Sequence, residues 1–272
     1  ALLSIGAKQA IYRFHNQSFK VIAIPTTQPD SEKPVGWTIY NITGGTLPRK
    51  SGSKISQVKT KLAFGSKPGI IGRLDPDATT IIKTEGPTDL LAMLSIDLPA
   101  GVSVFSNANG CMENPAKSFS WLLEFAAGKN VFVLHDCDEP GQQGATVIQQ
   151  NGGERAGWAP FLANAERATV KNIVLPYLIE PTSGKDVRDY INDGHDFKAL
   201  ESIFEAAAVI QPVKPNADNP IVEDVDDPHR LARENLEHYK NDHNGRLVFW
   251  RDEWWKYKNG CYKKIEVNEL RA

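Results

Sequence analysis

Acidic residues are missing from one long stretch of this 272-residue chain. Between Glu32 and Asp75 there is none, while Lys33, Arg49, Lys50, Lys54, Lys59, Lys61, Lys67 and Arg73 all fall there. Such a block suits a polyanion held through its phosphates, or a solvated lysine-rich surface. The formal net charge of the chain is still −2, which argues against histone-like binding of everything anionic. Cysteine is scarce as well. Cys111, Cys137 and Cys261 are scattered and odd in number, so a disulfide framework and a CxxC zinc site are both excluded. Free thiols suit a reducing cytoplasm. No apolar run approaches the length of a membrane span and no signal peptide opens the chain, so no membrane partner is expected. The first residue is Ala1, in mid-pattern, which predicts a piece excised from something larger.

The composition that remains, 41% hydrophobic and 24% charged, is that of a soluble globular protein with room for one large domain or two ordinary ones. Residues 1–77 read as β-rich and turn-rich, with FKVIAIP (Phe19 to Pro25) and GWTIYNITGG (Gly36 to Gly45) as strands. From 78 to 210 strands and helices alternate. TTIIKTEG, VSVFSN, NVFVLHD and NIVLPYL (Asn172 to Leu178) read as strands. Helices are predicted from Pro87, across PAKSFSWLLEFAAG to Gly128, from Pro140 and over FKALESIFEAAA, with NGGERAG (Asn151 to Gly157) as an inserted loop. This alternation predicts an α/β fold with a central, mostly parallel sheet flanked by helices. Residues 211–228 are rich in proline and acid and read as a linker. Residues 229–272 read as a helix followed by short strands, with a tight hairpin at Asn259-Gly260, and are expected to begin another domain.

Acidic residues stand where the predicted strands end: Glu85 in TEGPTDLL, Asp136 and Asp138 in VLHDCDEPG, and Asp186 in SGKDVRDYI. Side chains at the carboxyl ends of neighbouring parallel strands converge. Clustered carboxylates repel each other unless a cation sits between them, and an oxygen-only ligand set suits Mg²⁺ or Mn²⁺. Taken singly, each has a plainer reading: a solvated glutamate, or an aspartate capping a helix. His135, just before the DxD, reads as a buried packing residue. Trp250, Trp254, Trp255, Tyr257 and Tyr262 fit the core of a small sheet, with stacking on single-stranded bases as the alternative.

The ordered series EGxxD, DxDxxG and GKD resembles the Toprim domain shared by bacterial primases, topoisomerases and some nucleases. The matching residues are Glu85, Gly86 and Asp89, then Asp136, Asp138 and Gly141, then Lys185 and Asp186, spanning about residues 78 to 200. Where the primase family often has a second acid two positions after the last motif's first, this chain has Arg188, and the next acid is Asp189. VKTKLAFGSKPGIIG is similar to the basic strand and loop of the primase RNA-polymerase core. The resemblance places Lys59 and Lys67 toward nucleotide and template. DPHRLARENLEHYK with WRDEWWKYKNGCY resembles the segment before the helicase module of phage- and plasmid-encoded primase-helicases. A Walker-type loop and an opening zinc-binding segment are both missing, as in an excised primase core.

The resemblance implies a Toprim fold with an N-terminal basic α+β subdomain and a small C-terminal helix-plus-hairpin segment. It implies primer synthesis on single-stranded DNA from nucleoside triphosphates, with a helicase module as partner. Two metal ions would be held by Glu85, Asp136, Asp138 and Asp186, with Glu85 as ligand or proton acceptor. Asp89 is expected to cap its helix or hold Lys185. Gly86 and Gly141 would let backbone approach phosphates, and the helix start after the DxD would favour them. Lys59, Lys67, Arg73 and Lys185 would bind nucleotide or DNA. Phosphodiester hydrolysis by the same carboxylates, or single-stranded DNA binding without catalysis, are the alternatives.

Overall fold

A computed structural model describes residues 2–28, 31, 33–51, 53–108, 110–150, 153–212, 247–250, 253–258 and 261–265. The chain forms two compact units, Ala1–Lys214 and Pro215–Ala272. The first opens with β1 (Lys8–Phe14), β2 (Gln17–Thr26), β3 (Gly36–Asn41), β4 (Leu47–Ser51), β5 (Lys54–Val58) and β6 (Thr60–Leu62). Strands β1, β2, β3 and β6 make an antiparallel sheet, and β4 pairs with β5 as a hairpin carrying Arg49, Lys50 and Lys54. Val21, Ala23, Ile39 and Leu47 form a small apolar core beneath the sheet. Among the described residues before Pro87 every regular element is a strand, where an α+β subdomain is expected. Frequent Gly and Pro and short alternating runs leave no apolar face long enough for a helix.

The rest of this unit comprises β7 (Ile70–Gly72), β8 (Thr80–Thr84), α1 (Pro87–Met93), β9 (Val102–Asn107), α2 (Pro115–Ser118), α3 (Leu122–Ala126) and β10 (Asn130–Leu134). There follow α4 (Glu139–Ala145), β11 (Val147–Gln150), β12 (Gly153–Ala156), α5 (Trp158–Leu162), β13 (Thr169–Ile173), α6 (Val187–Asn192) and α7 (Phe197–Ala206). The central sheet has the order β13-β10-β8-β9-β7, parallel throughout except for β7 at the edge. A mixed α/β architecture around a mainly parallel sheet is therefore found. Because β7 pairs with β9, residues 1–77 and 78–210 lie in one compact unit.

Alternating side chains feed two apolar layers. Ile82, Val104, Leu134 and Ile173 pack with Leu90, Tyr190, Leu200 and Phe204 of α1, α6 and α7. Ile81, Phe105, Val131, Val133 and Val170 pack with Phe119, Leu122 and the fully buried Trp158 on the other face. Both faces covered is the condition under which parallel strands become continuously apolar. Each fully buried large side chain stabilises the fold by about 1.5–3 kcal/mol.

Three local expectations are corrected. The fourth parallel strand is Thr169–Ile173, earlier than NIVLPYL, since Pro176 has no amide to give the ladder. The single helix across PAKSFSWLLEFAAG is two, because Phe119 leaves helical geometry (φ −137°) while its ring is fully buried. NGGERAG is no free loop: Gly153–Ala156 pairs with Val147–Gln150 as a hairpin.

The second unit contains β14 (Leu247–Trp250), β15 (Glu253–Lys258) and β16 (Cys261–Ile265), an antiparallel sheet in which Lys258 faces Cys261. The helix expected from Asp227-Pro228, the linker beyond residue 212 and the Asn259-Gly260 turn lie outside the described residues, as do the side chains of Trp250, Trp254, Trp255, Tyr257 and Tyr262. Among the described residues no helix is long and apolar enough to cross a membrane.

Candidate metal centre at the carboxyl end of the sheet

Strands β8 and β10 lie side by side with Thr84 opposite Leu134, so the residues that follow each strand leave the sheet together. Glu85 continues β8, and its Oε2 accepts the Asp136 amide at 3.2 Å. The third motif is brought in by backbone. Cys137 N–H donates to Lys185 O, Glu180 N–H to Cys137 O, and Glu139 N–H to Glu180 O, at 2.8, 3.0 and 2.9 Å. This ladder stitches residues 180–185 along the DxD turn. Gly184 permits it, since a Cβ there would stand 1.9 Å from Cys137 O.

One oxygen each from Asp89, Asp136 and Asp186 lie within 4.8 Å of one another. Asp89 belongs to the third position of α1, where its Oδ2 accepts the Gly86 amide at 2.9 Å. Asp89 Oδ1 is buried and accepts no aligned hydrogen bond, although Arg188 Nε lies 3.2 Å away at ion-pair distance. Asp186 caps α6, its Oδ1 accepting the amides of Arg188 and Asp189 at 2.8 and 3.2 Å, while Asp189 returns the bond to the Asp186 amide at 3.0 Å. The Arg188 guanidinium also grips Asp186 Oδ2. The Asp136 carboxylate accepts no hydrogen bond from a described residue, and only its amide and carbonyl are engaged.

Asp138 sits beside this cluster with both oxygens committed to amides: Oδ1 to Gly141 at 2.8 Å, capping α4, and Oδ2 to Gly184 at 3.3 Å. The helix start that the sequence offers to phosphate is thus capped by Asp138 itself. Gly141 is required because a Cβ would meet Asp136 O and Glu85 Oε2, each at 2.7 Å. Gly86 is less confined, the nearest atom being Asp89 Oδ2 at 3.3 Å. Lys185 is exposed and turned away, over the Tyr177 ring and 3.5 Å from Asp193, so Asp89 does not hold it. Lys59, Lys67 and Arg73 have exposed side chains. Lys61 is engaged with Tyr12, Nζ to the phenol oxygen at 2.8 Å.

The electrostatics follow from crowding acids in a half-closed pocket. Burial first, and then the charges of Glu85, Asp89, Asp186 and Asp138, push Asp136 up to about 9. Burial and the Asp186 charge push Asp89 up to about 7, opposed by Arg188. Glu85 is also raised, chiefly by burial. All three shifts point the same way because burial and mutual repulsion disfavour the charged carboxylates. The buried, unsatisfied Asp89 Oδ1 and the unbonded Asp136 carboxylate fit a small divalent cation, and all-oxygen donors suit Mg²⁺ or Mn²⁺. Beneath the cluster lies Lys83, fully buried and pushed down to about 7 by burial. Neither the role of Asp89 beyond capping nor the buried Lys83 follows from motif spacing. A lysine inside a strand covered on both faces is the signal that could have shown the second.

The chain matches no protein-family model and no curated protein. Among solved structures it is similar to one of the bacteriophage T7 lagging-strand DNA polymerase interacting with primase domains of two gp4 subunits bound to an RNA/DNA hybrid and dTTP. Identity there is 17% over 75% of this chain and 84% of that one, with a TM-score of 0.42. It is also similar to the primase fragment of the bacteriophage T7 primase-helicase protein, at 15% identity over 74% and 72% of the two chains and a TM-score of 0.37.

Proposed function

We propose that this chain is the catalytic core of a Toprim-type DNA primase, making short RNA primers on single-stranded DNA by metal-dependent nucleotidyl transfer. One observation carries the reading: Asp89, Asp136 and Asp186, far apart in sequence, present oxygens within 4.8 Å of one another at the carboxyl end of a parallel sheet. Asp89, Asp136 and Asp186 would hold one ion. Glu85 and Asp138, whose other work is to fix backbone, are the carboxylates from which a second would draw. Bound Mg²⁺ or Mn²⁺ supplies Lewis-acid activation of the primer 3′-hydroxyl and neutralises the leaving pyrophosphate.

The protein's own groups prepare that step. Asp138 ties the turn after β10 to the loop before α6, which sets the distance between Asp136 and Asp186. Arg188 balances Asp89 and Asp186 from the solvent side. Lys59, Lys67 and Arg73, on the acid-free stretch, would neutralise template or triphosphate phosphates. The second unit would lead toward a helicase module. Hydrolysis by a nuclease needs only the carboxylates, and the basic β-rich stretch favours synthesis over it.

Incubation with single-stranded template, labelled ribonucleotides and Mg²⁺ or Mn²⁺ tests this. Oligoribonucleotide products are expected. A shortened template would show a nuclease instead, and binding without either outcome a non-catalytic module.

A further inference from the structure

Lys83 has no solvent exposure and points into the apolar layer that holds Trp158. A charge there is costly unless it is bonded. Its Nζ lies 2.7 Å from His135 Nε2 and 4.4 Å from the centre of the Trp158 ring. On the far side of the imidazole, Nδ1 lies 2.9 Å from the carbonyl oxygen of Gly141. A carbonyl can only accept, so Nδ1 carries the hydrogen and Nε2 accepts one from Lys83. His135 is thereby a neutral link with a fixed tautomer. The other polar group of Gly141, its amide, is held by Asp138. Gly141 is in turn the surface against which Glu85 Oε2 and the Asp136 carbonyl rest, too close for any Cβ.

We infer that Lys83 and His135 are positioning residues of the carboxylate site, a buried amine donor and an imidazole that pin Gly141 from below and so fix Glu85 and Asp136. The inference rests on the metal-site reading above. Partners one step behind the ligands orient them, and losing such a partner costs roughly 10- to 100-fold in metal affinity. Lys83→Met keeps the length of the side chain and removes the donor to His135. His135→Asn keeps a donor on the Gly141 side, whereas His135→Leu removes it.

The full chain is titrated with Mn²⁺, followed by electron paramagnetic resonance, with thermal unfolding of each variant alongside. Wild type binds saturably. Lys83→Met unfolds cooperatively but binds Mn²⁺ roughly 10- to 100-fold more weakly. His135→Asn recovers most of the affinity that His135→Leu loses. Unchanged affinity in folded Lys83→Met overturns the positioning role while leaving the metal site standing. No Mn²⁺ binding by wild type overturns both. Should Lys83→Met fail to fold, nitrogen-15 NMR of wild-type His135 decides: a hydrogen on Nδ1 with Nε2 bare is expected, and a hydrogen on Nε2 overturns the link.

Discussion

The carboxyl end of the central sheet and the acid-free β-rich stretch handle charge in opposite ways. At the sheet end Asp89, Asp138 and Asp186 are buried, and Asp89 and Asp136 hold on to protons. On the basic stretch Lys59, Lys67 and Arg73 stand exposed. An exposed lysine costs the fold nothing, so its presence says little about use. A buried cluster of like charges is expensive and persists only where something offsets it. Burial, more than charge, marks the site.

Removing the acids tests that contrast with the largest effect. Asp89→Asn with Asp136→Asn should reduce primer synthesis by more than the roughly 10- to 100-fold expected for an indirect partner. The same change should raise the melting temperature at neutral pH without metal, since folding no longer has to bury or protonate these two carboxyls. Asp136→Asn and Lys59→Ala compared in one activity assay would show whether the sheet end indeed dominates. Next in size is Gly184→Ala, whose Cβ must displace the Cys137 carbonyl. A loss of about 1–3 kcal/mol in chemical denaturation is expected, with weaker Mn²⁺ binding, because Asp186 loses its register against Asp136.

Arg188 sharpens the comparison from within, as a cation among the acids. Arg188→Ala should cost about 1–3 kcal/mol without metal, the arginine being half exposed and its two aspartates buried, and added Mn²⁺ should restore most of it. The pH dependence has a definite sign. Folded Asp89 and Asp136 titrate at about 7 and about 9, above the unfolded carboxylate value. The folded state therefore binds more protons than the unfolded one through that window, and their contribution to stability is lost as pH rises from about 4 to about 9. Melting curves without metal should fall across it. Mn²⁺ should flatten the fall, and its affinity should rise with pH as it displaces protons. The smallest effect belongs to the basic stretch. Lys59→Ala or Lys67→Ala should weaken single-stranded DNA binding and make its salt slope shallower by about one contact. A change in Mn²⁺ affinity in either variant would break the division of labour.

Much of the sheet end was legible because strand, turn and helix starts carry strong local marks. Glu85, Asp136 and Asp186 each stand just past an apolar strand or at a helix start, so their convergence follows from parallel topology. From sequence, Asp89, four positions after Glu85 in the first turn of the next helix, reads as a cap or as a partner of Lys185. It is both a capping residue and a member of the acidic cluster, a double use that only three-dimensional placement reveals. Asp138 also has a double character: its DxD spacing marks a candidate ligand, and in the fold both of its oxygens accept backbone amides. The strand ends before Pro176 because proline has no amide for the ladder, whereas the helix breaks at Phe119 because burial of its ring overrides local propensity. The Lys83–His135 bond depends on neighbouring strands and on Trp158 across the layer, contacts that no single stretch of sequence contains.

Diffraction from crystals soaked in Mn²⁺, collected for anomalous signal, tests the central proposal most directly. An anomalous peak bonded to oxygens of Asp89, Asp136 and Asp186, with Arg188 drawn back, is the predicted result. A peak elsewhere, or none at saturating Mn²⁺, would contradict it.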